Sequence, residues 1–424
     1  MSTQSFAIKK CLLKPSEGSS LTEEYNLLGG NPTITYMESL LSPAIAVTVT
    51  FFDNSAVVSR FGLSGGEFLE IQIDCGEPSL GSFEITSEHK MIINGVRDVM
   101  TGPQGQLATL EAIPVELMIN ETAKISKKFS GNISESVVDI MTTDEKGIMT
   151  TKKIDEESSA NKYSFLGNFK RPMDIVQWLQ PKASVEVEGG ESYGFLFYEN
   201  LDGYHFQSID TLLAKEPAEG DKYPKLELPI EVYSKILDDR VDTNIDTVMS
   251  LRKGMYANKT LYVDLESQVK TVDDFKVSDL GPLEKLPLLP QGLEEKPTKL
   301  MFRITDPGAL QKDSKKVEGD ESALEKQQDL AKVQNKSYSR NSLLFSSFVE
   351  ISVPFNPKLR VGNTIEIQLP MTEDPNKTTD RRTVGDDSTP DASGKYLISE
   401  LKHIVGNGEC ETQLSLVRDT FTVK

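Results

Sequence analysis

The chain has 424 residues, 38% hydrophobic and 26% charged, with a net charge of −19. That length allows two to four domains with real cores, and no apolar run approaches the roughly 20 residues that cross a membrane as a helix. A surface this acidic repels nucleic acid and argues against DNA binding as the main activity.

The first ten residues carry no apolar signal core, so synthesis and folding in a cytoplasm are expected. Cys11, Cys75 and Cys410 lie far apart without a CxxC pair, which predicts free thiols rather than a disulfide framework. His89, His205 and His403 are equally scattered, and none has a ligand cluster around it. No metal and no cofactor are expected.

Residues 1 to about 125 read as antiparallel β. Ile45, Val47, Val49 and Phe51 alternate with Ala46, Thr48 and Thr50, and Leu69, Ile71 and Ile73 with Phe68, Glu70 and Gln72. Residues 83–85, 90–93 and a run from Gln106 to Leu117 follow, with Gly62, Gly65, Gly66, Gly76, Gly81 and Gly95 between the runs. Short strands with glycine punctuation predict a small barrel or sandwich.

The period then changes. Ser134 stands as an N-cap before Val137, Val138, Ile140 and Met141. Pro172 opens a second helix that carries Met173, Ile175, Val176, Trp178 and Leu179, which assigns the only tryptophan to core packing. Residues 193–198 turn at Leu201, Asp202 and Gly203 into residues 204–207, an aromatic hairpin. Residues 126–205 therefore read as a small α+β domain.

A second β region is expected to start in residues 206–265, with short elements at 231–237 and 245–251 and a strand in 254–264. Residues 266–339 read as an insertion. It holds a connector marked by Pro282, Pro287, Pro290 and Pro297, then an exposed charged helix from about Glu321 toward Phe345. Residues 340–424 bring back β patterning around Val349, Ile351 and Val353 and around Ile365, Ile367 and Leu369. The polar stretch 372–392 reads as a surface excursion. Residues 393–419, broken at Gly406, Asn407 and Gly408, predict a closing β-hairpin.

Gly66-Glu67-Phe68-Leu69-Glu70-Ile71-Gln72-Ile73 lines up with Gly362-Asn363-Thr364-Ile365-Glu366-Ile367-Gln368-Leu369. Such an echo is what a duplicated β unit leaves behind. Glu70, Gln72, Glu366 and Gln368 share the outward parity of the two strands, and are candidate lumen or inter-subunit positions; simple solvation of the outer face is the alternative.

No Gly-x-Ser-x-Gly elbow, Walker loop, Gly-x-Gly-x-x-Gly or His-Glu-x-x-His is present. Acidic pairs such as Asp238-Asp239 carry little information among 65 acids. No catalytic residues are expected.

Several motifs resemble, in order, those of baseplate central hub proteins of contractile-tail bacteriophages. They are Tyr36-Met37-Glu38-Ser39 with Pro43, the stretches 134–141 and 172–179, and Asp202-Gly203-Tyr204. Arg252-Lys253-Gly254-Met255-Tyr256 follows, then Val353-Pro354-Phe355-Asn356 with Leu359-Arg360-Val361-Gly362, and the terminal hairpin from Ser393-Gly394-Lys395-Tyr396 to Leu416-Val417-Arg418-Asp419. Residues 266–339 and 372–392 stand outside the resemblance. It implies a mainly β fold of two tube-protein-like antiparallel β-barrels with a small α+β domain and an insertion. It also implies a homotrimeric ring in the virion's tail baseplate, assembled in the host cytoplasm, that joins the sixfold tail tube to the threefold spike. The implied partners are the tail tube or a tube-initiator protein, the spike and the baseplate wedge proteins, with DNA passing through the channel unbound. A cell-wall-degrading baseplate enzyme, an adhesin and a type VI secretion-like spike component remain as alternatives.

Overall fold

In the computed structural model the described residues are 6–54, 56–60, 63–102, 105–142, 147–187, 190–217, 222–224, 235–242, 247–264, 268, 270–280, 296–305, 310–311, 322–345, 347–369 and 393–418. The alternating runs become strands because each offers one apolar face for burial. The first set is Phe6–Lys14, Tyr25–Asn26, Thr33–Ser39, Ala46–Asp53, Phe68–Cys75, Ser82–Ile85, Met91–Gly102 and Gly105–Pro114. The second is Lys222–Pro224, Asp238–Asp242, Ser347–Pro354, Thr364–Gln368 and the expected hairpin, Gly394–Gly406 with Glu409–Arg418.

The two sets trace one path twice. In hydrogen-bonded order the first runs Thr33–Ser39, Ala46–Asp53, Gly105–Pro114, Met91–Gly102, Phe68–Cys75, Phe6–Lys14. The second runs Asp238–Asp242, Ser347–Pro354, Glu409–Arg418, Gly394–Gly406, Thr364–Gln368, Lys222–Pro224. Both central hairpins close on a two-residue turn, Gly102 opposite Gly105 and Gly406 opposite Glu409. Both bulge at the same place, between Ile93 and Gly95 and between Ile398 and Glu400. The echo strands also match in register: Phe68 stands opposite Ile92, and Thr364 opposite Leu397. Even single bonds recur. Gly66 N donates to Ile93 O at 2.9 Å and Ile93 N to Glu67 O at 2.8 Å; Gly362 N donates to Ile398 O at 3.1 Å and Ile398 N to Asn363 O at 2.9 Å. The repeats differ in their last pairing, antiparallel in the first and parallel in the second. They also differ by one further bulge, between Arg97 and Met100.

The repeats are joined edge to edge. Strand Gly394–Gly406 forks: Gly394 to Leu397 pair with Thr364–Gln368, while Glu400 to Val405 pair antiparallel with Ile34 to Ser39 of the first repeat. All of this makes one 14-stranded sheet over a core cluster that draws on both repeats, from Cys11 and Leu13 to Leu416 and Val417. No sheet closes among the described residues, so the fold is mainly β with a large antiparallel sheet, and the barrel pair of the sequence reading goes beyond that. Period-two patterning fixes which face is buried, but not whether an edge pairs within its own repeat or onto the next.

A second core cluster gathers Ile133, Val137, Ile140 and Met141 of helix Ile133–Thr142, helix Pro172–Leu179 and the aromatic hairpin Phe195–Asn200 with Gly203–Ser208. Some local expectations need correction here. Helix Ile133–Thr142 begins one residue before Ser134, so Ser134 is not its cap; its hydroxyl accepts from Ser159 N at 3.1 Å. Val115 to Leu117 do not extend a strand but open helix Val115–Thr122. Trp178 is 38% exposed rather than core. It meets Tyr163 and Phe165 edge-on, with the Lys182 ammonium 3.5 Å from its ring centroid.

Strand Ala257–Asp264, expected in the second β region, lies outside the large sheet: it forms a three-stranded sheet with Lys270–Lys276 and Lys299–Thr305 of the insertion, against helix Ser322–Leu344. The helix lies where expected, but from Val333 onward it is no solvated face. Asn335, Ser337 and Ser339 are fully buried, and Asn335 Oδ1 accepts from Thr260 Oγ1 at 2.8 Å. The proline connector falls largely, and the 372–392 excursion wholly, outside the described residues.

Candidate assembly surfaces and the buried junction

The four positions singled out by parity sit on matched strands but in unlike settings. Glu70 is nearly buried, covered by Lys10 and by Lys14, whose Nζ lies 2.7 Å from its carboxylate. Burial pushes its pKa up, but the two ammonium groups outweigh that and hold the carboxyl below the usual range. Gln72 is half-buried and donates to Glu84 at 3.2 Å. Glu366 is half-buried with Lys222 and Lys395 opposite it on either side, and Gln368 is exposed.

The groups that bind the molecule together were not among them. Glu38 is buried where the first repeat, the α+β unit and the second repeat meet. Its carboxylate accepts from Tyr36 Oη at 2.6 Å, Leu201 N at 2.9 Å and Val361 N at 2.8 Å. Burial pushes its pKa up, against the pull of the Arg360 guanidinium and these donors. Glu199 is a second such strut. It accepts from Ile45 N at 3.1 Å and Lys152 Nζ at 2.7 Å, and Lys152 also pairs with Glu116 at 3.0 Å. Burial raises Glu199 to about 7 despite Lys152. On the joining strand, His403 packs among Tyr36, Phe83 and Phe355 with its Nδ1 2.8 Å from Thr412 Oγ1. Burial, and then Arg360, hold it well below its ordinary value and so neutral. The only sequence signal for any of these was the Tyr36–Ser39 motif; carboxylates on alternating strands read as solvent-facing.

Several strand edges carry no described partner strand, among them that of Asp238–Asp242 facing away from Ser347–Pro354 and that of Met91–Gly102 beyond its single pairing at Ile92. Beside the second edge, Met100, Leu107 and Phe52 stand opposite one another across three strands, at 68%, 40% and 42% exposure. Their counterparts in the second repeat are Ile404, Glu411 and Pro354. Glu411 interrupts the row in the second repeat, so only the first repeat carries it unbroken. Among the described residues no group of His, Cys, Asp or Glu is placed to hold a metal ion, and no helix is long and apolar enough to cross a membrane.

No family model matches the chain. It is 22% identical to a probable baseplate hub protein of Vibrio phage KVP40, over 91% of this chain and 90% of that protein. Its fold is similar to that of the 43 kDa tail protein of prophage MuSo2 from Shewanella oneidensis, with a TM-score of 0.53 and 12% identity over 98% of this chain and 99% of the other. A tail protein from Neisseria meningitidis MC58 matches with a TM-score of 0.54 and 10% identity over 99% and 98% of the two chains. The chain thus resembles the baseplate hub proteins of contractile-tail bacteriophages along nine-tenths of its length, on a fold shared with phage tail proteins from end to end.

Proposed function

We propose that this chain is a structural baseplate hub protein of a phage tail, and that three copies form a ring joining a sixfold tail tube to a threefold spike. The observation that carries this is the internal repeat. Each chain holds the same six-strand path twice, matched in turn, bulge and register, so three chains present six similar units, and closed rings are the usual form of such assemblies. The similarity to a probable baseplate hub protein supports the tail placement. The ring's partners are then the tube or a tube initiator, the spike and the wedge proteins, within the virion and after assembly in the host cytoplasm. The role is non-enzymatic, and the purified protein should fail to clear peptidoglycan.

DNA passes through the channel of such a ring without adhering, as a net charge of −19 favours. Of the candidate lumen or inter-subunit positions, Glu366 and Gln368 are more open to solvent than Glu70, which Lys10 and Lys14 cover. Replacing Glu366 with lysine should leave particles assembled and slow DNA ejection, most at low salt where screening is weakest. Unchanged ejection at every ionic strength would remove Glu366 from the channel.

Light scattering on the purified chain tests the ring. The expected mass is three times the 47.0 kDa of one chain. A monomer at micromolar concentration, both alone and mixed with the cognate tube and spike proteins, would overturn it.

A further inference from the structure

Three cations gather around the only tryptophan, where the α+β unit meets the insertion. Lys182 closes the 3-10 turn Gln180–Lys182. Its ammonium lies 3.5 Å from the Trp178 ring centroid and donates to Trp178 O at 2.5 Å. Lys170, just before helix Pro172–Leu179, holds its Nζ 5.6 Å from the same centroid. Arg303 comes from the insertion strand Lys299–Thr305. Burial, then Arg303 and Lys170, bring the Lys182 ammonium down to about 7. Nearby cations have counter-charges: Lys127 pairs with Asp139 at 2.5 Å and Arg171 with Glu121 at 2.8 Å. Among the described residues Lys170, Lys182 and Arg303 pair with no carboxylate, although Asp174 stands one turn before Trp178 on the same helix.

The cluster is also held in place. Asn161 donates through Nδ2 to Lys182 O and accepts at Oδ1 from Ser184 N at 3.1 Å. Gln334 of helix Ser322–Leu344 accepts from Arg303 Nη1 at 3.0 Å. That is the one hydrogen bond of this guanidinium among the described residues, so most of its five donors stay unused. Like charges fixed near one another without a counter-charge repel, and the indole face offsets only part of that cost.

We propose that Lys170, Lys182 and Arg303, gathered around Trp178, bind the carboxylates of an acidic segment of another protein. The guanidinium takes a carboxylate bidentately, and the two ammonium groups act as point charges. The indole, 38% exposed, gives the segment an apolar surface to lie on. A short acidic segment suits the site better than nucleic acid does. Double-stranded DNA carries a charge about every 1.7 Å of its axis, and would extend those charges over a chain of net charge −19. The site goes beyond the hub reading and serves a monomer as well as a ring, so either can fail without the other.

Trp178 is the only tryptophan, so its emission reads this site alone. The full chain is titrated with a short polyglutamate peptide blocked at both ends, and calorimetry follows the same titration. Polyglutamine of equal length and an oligothymidylate serve as comparisons. Polyglutamate should shift the emission saturably, with a midpoint at or below about 1 mM at low salt, and the midpoint should rise with salt. Lys170→Gln, at an exposed position, should raise the midpoint about tenfold, and Arg303→Gln likewise. Lys182→Met keeps the packing on the ring without the charge and should do the same. Lys358→Gln, exposed in the second repeat, should leave the midpoint unchanged. Neither an emission change nor heat with polyglutamate, equal binding of polyglutamine, or a midpoint unmoved in all three site variants would overturn the site. Tighter binding of the oligothymidylate, weakened by the same variants, would make it a nucleic-acid site and overturn the acidic segment.

Discussion

A carboxylate taken out of water persists only when donors meet its lone pairs, and Glu38 has three, one from each unit it joins. Glu38→Ala strands two backbone N–H groups and a phenol in the interior. Chemical denaturation should show a loss of about 3 kcal/mol or more, whereas Gln72→Ala on the outer face should cost under about 0.5 kcal/mol. Glu199 adds a pH dependence. Its folded pKa, about 7, lies above the ordinary carboxyl value of 4.5, so the folded state binds the proton more tightly than the unfolded one. Its contribution is full below pH 4.5 and is lost as pH rises through about 7. Glu199→Gln should flatten that part of the stability profile, an effect of the order of a few kcal/mol, and Lys152 keeps Glu116 as a partner. A wild-type minus variant difference that stays constant from pH 4.5 to 8 would show that Glu199 titrates normally. Glu199 was not legible in the sequence, and Glu38 only as a member of the Tyr36–Ser39 motif, because on an amphipathic strand an acid at a polar position looks the same whether it meets water or buried donors.

Elements were more legible, and the glycines show why. Gly66 and Gly362 open the two echo strands with φ near +89° and +85°, a region that other residues enter at a cost. A backbone demand of this kind leaves its mark in the sequence, so the duplication could be read from eight residues. The surroundings of the two glycines differ. A Cβ on Gly66 would come no nearer than 3.4 Å to the Ser16 hydroxyl, whereas on Gly362 it would fall 2.0 Å from the Tyr198 hydroxyl. Gly66→Ala should therefore cost about 1–2 kcal/mol from backbone strain alone. Gly362→Ala should cost that plus a further 1–3 kcal/mol as Tyr198 is displaced. Equal losses in thermal denaturation would mean that Tyr198 moves aside freely. The caps and ends of helices were less legible. Ser134 carries the right side chain for a cap, yet the helix starts before it and its hydroxyl serves Ser159 instead.

At the scale of the whole molecule, the closing hairpin was readable from its Gly-Asn-Gly break and its alternation, but its placement was not. Glu400 to Val405 find Ile34 to Ser39 at the far end of the chain, and no local pattern marks so distant a partner. The consequence is mechanical. A single core cluster runs from Cys11 to Val417 and includes Tyr36, Phe83, Phe355 and Leu401, drawn from both repeats. Two repeats that share a core and a ladder should unfold as one cooperative unit. Calorimetry of the full chain should then show a single transition for the sheet, with an enthalpy matching its van't Hoff value. A chain cut after residue 216 would leave the edge of Thr33–Ser39 open and strip Tyr36, Glu38 and Phe83 of their second-repeat partners. It should appear as aggregated or unfolded protein. A soluble fragment with the full chain's melting temperature would mean that the first repeat is independent and the shared core contributes little.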